Sequence, residues 1–285
     1  MNFQPAIKWS GSKRSQADEI IKVFPKEIAT YWEPFCGGAS MLYRLMRSDI
    51  RCKYYYVSDK NQDLIHLWRM IRDYPVHLFE HYRKLWQELN ADNNLERKKE
   101  YFAMVRDRFN RNRDPEDFLF IMRTTTNGMP RYNAVGEFNN SFHVTRNGIV
   151  PEALLNVLMD WSILLNRKDV KFFCNGYEEI APGKHDFVYL DPPYANTKGM
   201  YYGGIDLPRF FDTIERYPCP WALSFDGRSG KEDNTYDVPK IYDEHLYIKS
   251  GNSSFKRVIG KSSDSIVYES LYLKGCKMQE ETSLF

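Results

Sequence analysis

At 285 residues the chain has room for one large domain, or for one domain carrying a substantial insertion. Apolar residues at 42% support a sizeable core, and a formal charge of +2 excludes a global basic field, so any nucleic-acid affinity has to come from local clustering. The 5 cysteines are scattered and never in CxxC spacing, which excludes a disulfide framework and a zinc site and fits a reducing cytoplasm. No apolar run approaches the ~20 residues of a membrane span, and the N-terminus lacks an apolar signal core. A cytoplasmic protein with no membrane partner is the expectation. The 20 Tyr, 18 Phe and 6 Trp admit two readings, a Tyr-rich core or stacking surfaces for bases, and the core is the ordinary one.

In chain order, Tyr31 to Phe35 reads as a strand, Ala39 to Arg47 as a helix, Lys53 to Val57 as a strand and Asn61 to Arg72 as a helix. This alternation indicates βαβ units and a largely parallel sheet. The texture then changes. Val76 to Leu89, Leu95 to Asn110 and Pro115 to Arg123 carry apolar residues at helical spacing. From Thr124 to Gly148 the chain is rich in Asn, Gly, Thr and Arg, and its turn signals predict a hairpin or a long loop. Cations outnumber carboxylates between Arg97 and Arg146, which exposed helix charge explains in most proteins and a nucleic-acid insertion in some. From Val170 the strand pattern returns in VKFF, FVYL, WALSF, HLYI and SIVYESLYL, with a helix at Asp206 to Arg216. The expected organisation is a catalytic domain in two parts, residues 1–74 and 166–285, interrupted by a mainly helical insertion at 75–165 with its hairpin at about 124–148.

Glu33-Pro34-Phe35-Cys36-Gly37-Gly38 sits between a strand and a helix, where glycine lets the backbone turn sharply and approach a ligand. Asp59 closes the next strand roughly 20 residues beyond Gly37, the offset at which a carboxylate takes both hydroxyls of a ribose. An ordinary turn and a helix-capping Asp59 is the competing reading. Gly11-Ser12-Lys13 is not a phosphate loop, because the upstream glycine and the following hydroxyl are missing. Lys13 at a loop-to-helix junction could still bind a carboxylate beside the aromatic Trp9, although taken alone a solvated Lys13 and a core Trp9 are expected.

Asp191-Pro192-Pro193-Tyr194 ends the strand FVYL, and chemistry in an open α/β sheet collects at such strand ends. Consecutive prolines make the segment rigid and offer carbonyl acceptors without N–H donors. An aromatic amine such as adenine N6 is a poor nucleophile, its lone pair being delocalised into the ring. Asp191 and a proline carbonyl can accept its two hydrogens and stabilise the positive charge that grows on nitrogen as it attacks a methyl donor. Tyr194 can stack on the base.

On these motifs the chain resembles the Dam-like DNA N6-adenine methyltransferases of bacteria and phages. KWSGSK is similar to the family's N-terminal cofactor motif, EPFCGG to its glycine motif, VSDKN to its ribose motif and DPPY to its catalytic motif. The resemblance implies a Rossmann-like sheet with a target-recognition insertion, S-adenosylmethionine as cofactor and no metal. It implies cofactor contacts from Trp9, Lys13, Phe35, Gly37, Asp59 and Asp191, with Lys13 near the carboxylate and Phe35 near the adenine. Double-stranded DNA is the implied partner, and a cognate restriction enzyme is one the family allows. In the insertion, Asn127 to Asn139 is similar to the family's DNA-reading hairpin, which assigns Arg131 to a guanine, Asn127 to an adenine edge or the orphaned base, and Asn133 to the same surface. The chain departs from the pattern at Thr126, where the family carries Tyr, and in FNNSFH for FNVPFG, which places Asn140, Ser141 and His143 near the readout. A GATC target is the family's best-known one, and these departures leave the target open. A cytosine-N4 enzyme more often begins the catalytic motif with Ser, a glutamine methyltransferase with Asn. An inactive DNA-binding relative is the remaining rival.

Overall fold

A computed structural model describes residues 4–193, 205–229, 232–252 and 266–279. Tyr194 and most of the polar 251–265 segment lie outside the described residues. The first strand, β1 (Glu27–Glu33), pairs in parallel with β2 (Arg51–Ser58) on one side and β4 (Phe187–Leu190) on the other. β3 (Lys171–Phe173) extends the sheet beyond β2, and β5 (Trp221–Ser229) extends it beyond β4, both in parallel. β8 (Ile266–Lys274) and β7 (Glu244–Asn252) then close it antiparallel, giving the order β3-β2-β1-β4-β5-β8-β7, with the short β6 (Glu232–Asp233) against β5. This is a Rossmann-like, mostly parallel sheet with an antiparallel end. The unbroken apolar run of β4 follows from its place: all four residues are buried, as they must be in a parallel strand covered on both faces.

After α1 (Ala17–Ile20) and α2 (Ser40–Met46), helices begin where local chemistry tells them to. In α3 (Gln62–Asp73) the Asn61 side chain accepts the Leu64 N–H, so Asn61 caps the helix and leaves Asp59 free of that task. Proline opens α4 (Pro75–Leu89), α6 (Pro115–Thr124) and α7 (Pro151–Arg167), where its missing N–H costs nothing. Asn94 caps α5 (Leu95–Asn112), and Asp206 caps α8 (Leu207–Glu215) by accepting the Arg209 N–H. Among the described residues, α7 is the one long helix beyond the spans read from sequence.

The helices between β2 and β3 share a core with the sheet. Trp68 of α3 meets Trp161 of α7 at 4.8 Å and stacks on Phe172 of β3 at 5.7 Å. Truncating a buried tryptophan at such a junction costs about 3–5 kcal/mol. Trp68, Trp161 and Trp221, with Tyr31, Tyr55, Tyr82, Tyr177, Tyr189 and Tyr272, are fully buried, so much of the aromatic excess is core. The cations of α5 are largely matched in place: Arg97 pairs with Asp92, Lys99 with Glu96, Arg106 with Asp107 and Arg108 with Asp117. Arg123 is drawn inward to the carbonyls of Pro5 and Ala6. With Arg113 on Asp63, about half of the basic run is therefore ion-paired in place. All five cysteines are free, and no helix among the described residues is long and apolar enough to cross a membrane.

Candidate active site

The carboxyl ends of β1, β2 and β4 converge on one cavity of about 250 Å³. Trp9, Lys13, Phe35, Gly37, Asp59, Asp191, Pro192 and Pro193 all line it. Asn127, Arg131 and Asn133 do not; they sit on the hairpin outside.

The glycine loop is shaped by contact. Gly37 has φ +45, and a Cβ there would stand 2.8 Å from the Trp9 indole, so the position tolerates no side chain. Its N–H donates to Asp59 Oδ2 at 3.2 Å, its carbonyl accepts from the Trp68 indole at 2.9 Å, and Cys36 N–H donates to Ser58 at 3.0 Å. Asn61 N–H donates to the other Asp59 oxygen at 2.9 Å. The carboxylate is thus aimed by two backbone donors, each oxygen keeping a lone pair for a ribose diol. Burial pushes Asp59 up to about 6 against those two donors. Phe35 stacks on Tyr177 at 5.7 Å, forming an aromatic wall suited to a purine.

Lys13 is not the solvated side chain that its local sequence suggests. It is 4% exposed and pairs with Asp191 at 2.7 Å and with Glu269 of β8 at 3.5 Å, while also donating to the Gly11 carbonyl at 3.3 Å. Burial works against its charge, but the carboxylates of Asp191 and Glu269 outweigh that and hold the ammonium protonated. Burial raises Asp191 to about 6, with Lys13 pulling the other way. Glu33, 3% exposed, is raised to about 8 by burial even though the Tyr31 hydroxyl donates to it at 2.8 Å, so it enters the site neutral at pH 7. Glu33, Tyr177 and Glu269 join the site without a role assigned to them by the sequence motifs. Glu33 opens the glycine motif and could have been flagged there. Glu269 carries no local signal.

The hairpin is stitched by the Thr125–Phe142 and Tyr132–Phe138 bridges. Its departures from the family pattern bond to one another. Thr126 N–H donates to the Ser141 carbonyl at 3.0 Å, and the Asn140 amide donates to the carbonyls of Thr126 at 3.1 Å and Met129 at 3.0 Å. Arg131 is exposed, with Nε donating to Asn139 Oδ1 at 2.8 Å and one terminal nitrogen to the Asn139 carbonyl at 3.0 Å. Asn133 closes the tip: its Oδ1 accepts from Val135 and Glu137, and its amide donates to Glu137. Asn127 is exposed at φ 58.

Residues 9–210 match the family of D12 class N6 adenine-specific DNA methyltransferases. The type II methyltransferase M.MjaIII of Methanocaldococcus jannaschii is 34% identical over 211 residues, covering 68% of this chain and 70% of that protein. The DNA adenine methylase of Escherichia coli is 30% identical over 196 residues, covering 66% and 64%. Modification methylase StsI of Streptococcus sanguinis is 27% identical over 234 residues, 76% of this chain but only 34% of the longer protein. This chain belongs to the D12 class N6 adenine-specific DNA methyltransferase family.

Proposed function

We propose that the chain transfers a methyl group from S-adenosylmethionine to N6 of an adenine turned out of duplex DNA, at a short sequence read by the hairpin. The carrying observation is Asp191, the first residue beyond β4, fixed by Lys13 at 2.7 Å on the wall of a cavity lined with cofactor chemistry. The residues fit that cofactor: a carboxylate aimed for a diol, an aromatic wall for a purine, and a glycine surface closed to any Cβ.

When bound, the cofactor supplies an electrophilic sulfonium methyl. Asp59 would hold its ribose, and Phe35 with Tyr177 its adenine. Lys13 already has two carboxylates and a carbonyl around it, so its first task is to hold Asp191, with a cofactor carboxylate sharing the same ammonium. Asp191 and a carbonyl of the Pro192-Pro193 pair accept the two hydrogens of the target amine, favouring a tetrahedral nitrogen with an available lone pair. Asp191 at about 6 is ionised at neutral pH, yet basic enough to take the proton that N6 gives up. Tyr194 is assigned to stacking on the extruded base.

We assign residues 75–165 to target recognition. Arg131 carries the guanine contact, since Asn139 fixes one edge of its guanidinium and leaves the other edge for a bidentate pair. Asn127 is assigned to a base edge, and Asn133 to shaping the tip. Expression in a methylation-free host with genome-wide mapping tests the whole reading. N6-methyladenine in one short motif is expected; N4-methylcytosine, or unmodified DNA from folded protein, would overturn it.

A further inference from the structure

The hairpin is tethered to the elements beside the pocket at two points, and Arg131, assigned to base reading, lies between them in the chain. At the first, Gly128 accepts the Ser10 N–H at 3.0 Å, and Ser10 follows Trp9 in the loop that carries Lys13. Gly128 has φ +61, and a Cβ there would lie 2.8 Å from the Lys8 carbonyl, so the two backbones press together. At the second, the Tyr132 hydroxyl donates to Asp63 Oδ2 at 2.9 Å and receives the Asn61 amide at 3.4 Å. Asn61 is the residue whose N–H aims Asp59. Arg113 braces the same carboxylate at 3.3 Å while holding the Gly136 carbonyl of the hairpin at 2.6 Å.

A continuous run of bonds therefore joins the ribose carboxylate to the recognition element: Gly37 to Asp59, Asp59 to Asn61, Asn61 to Tyr132, and then one peptide to Arg131. Tyr132 is its narrowest link. Its ring packs edge-on against Phe138 at 5.6 Å, so the side chain is fixed from the hairpin side, and its hydroxyl makes a charge-assisted bond to the cofactor side.

We propose that Tyr132 is a positioning residue that couples the two sites, so that cofactor in the pocket sets the hairpin for DNA and DNA on the hairpin tightens the cofactor. This rests on the reading of pocket and hairpin given above. Coupling of this kind is reciprocal: each ligand raises the affinity of the other by the same factor. Equilibrium binding is the measurement that decides.

The probes are S-adenosylhomocysteine, which cannot transfer a methyl group, and a labelled short duplex carrying the motif from the genomic map. Binary titrations come first; if wild type binds neither probe, the site reading fails and the proposal falls with it. With both bound, S-adenosylhomocysteine is expected to tighten duplex binding about fivefold or more, and the duplex to tighten S-adenosylhomocysteine equally. Tyr132→Phe removes one hydroxyl and is expected to bring both factors below about twofold, as is Asp63→Asn, with no further loss in the double variant. A merely structural role would lower the melting temperature and leave the factor unchanged. The proposal is overturned if wild type shows no coupling, or if Tyr132→Phe keeps the wild-type factor. Should Asp63→Asn fail to fold, Tyr132→Phe alone decides.

Discussion

Lys13 and Arg131 are both cations committed to a neighbouring segment, but in opposite ways. Lys13 is 4% exposed and lies between two carboxylates brought from β4 and β8, whereas Arg131 is exposed and held by Asn139 of its own hairpin. A buried ion pair is costly to rearrange, because either charge alone would be stranded without water. An exposed fork held along one edge can meet a new acceptor without desolvating anything else. The pocket is thus built to keep one geometry through each turnover, and the hairpin to present a contact that different sequences can redirect. Thr126, Asn140 and Ser141 fit this contrast, since they close the hairpin base through mutual bonds.

The largest test of the contrast is Asp191→Ala. It removes the proposed amine acceptor and takes the nearer carboxylate from the buried Lys13 ammonium, so turnover on a matched duplex should fall by about 10³-fold. Stability should drop by about 3–5 kcal/mol, as for a broken buried pair, seen in chemical denaturation. Retention of more than a tenth of the activity would rule out the assigned role. Arg131→Ala comes next. Its loss should reduce discrimination between the matched duplex and a single-base variant by about 1–3 kcal/mol, while S-adenosylhomocysteine binding is little changed. If matched and mismatched duplexes weaken equally, Arg131 is a phosphate anchor. Asn139→Ala should act in the same direction but by less, since it frees the guanidinium without removing it.

What could be read from the sequence divides along the same line. The glycine loop, Asp59 and Asp191 were legible because strand–turn–helix junctions are local, and strand ends are where α/β sheets gather chemistry. Glu269 was not, because it reaches Lys13 only after β8 inserts antiparallel between β5 and β7, an order that no short window of sequence carries. Tyr132 looked like part of a motif, and its link to Asp63 appears only once the hairpin folds back on α3. The regular apolar spacing of α7 went unread because the Asn- and Gly-rich stretch before it interrupts the helical pattern. Asn133, which the family resemblance puts on the DNA-facing surface, accepts the Val135 and Glu137 N–H groups within the hairpin tip, a tie that no motif displays.

The smallest expected effect is also the one that separates the two buried carboxylates. Burial raises both Asp59 and Asp191 to about 6, so activity should be limited in acid by one or both. Each acts as an acceptor and works ionised, so the rate should be flat above that value and fall about tenfold per pH unit well below it. In the proposed roles Asp191 serves the chemical step and should appear in kcat, whereas Asp59 holds the cofactor and should appear in its KM. Glu269→Gln tells them apart. Its negative charge raises Asp191 and is not among the influences on Asp59, so neutralising it should move the acid limb of kcat to lower pH and leave that of the cofactor KM in place. A kcat limb that stays put or moves upward would mean that Asp191 is not the titrating acceptor, and that the charge pair around Lys13 serves the fold alone.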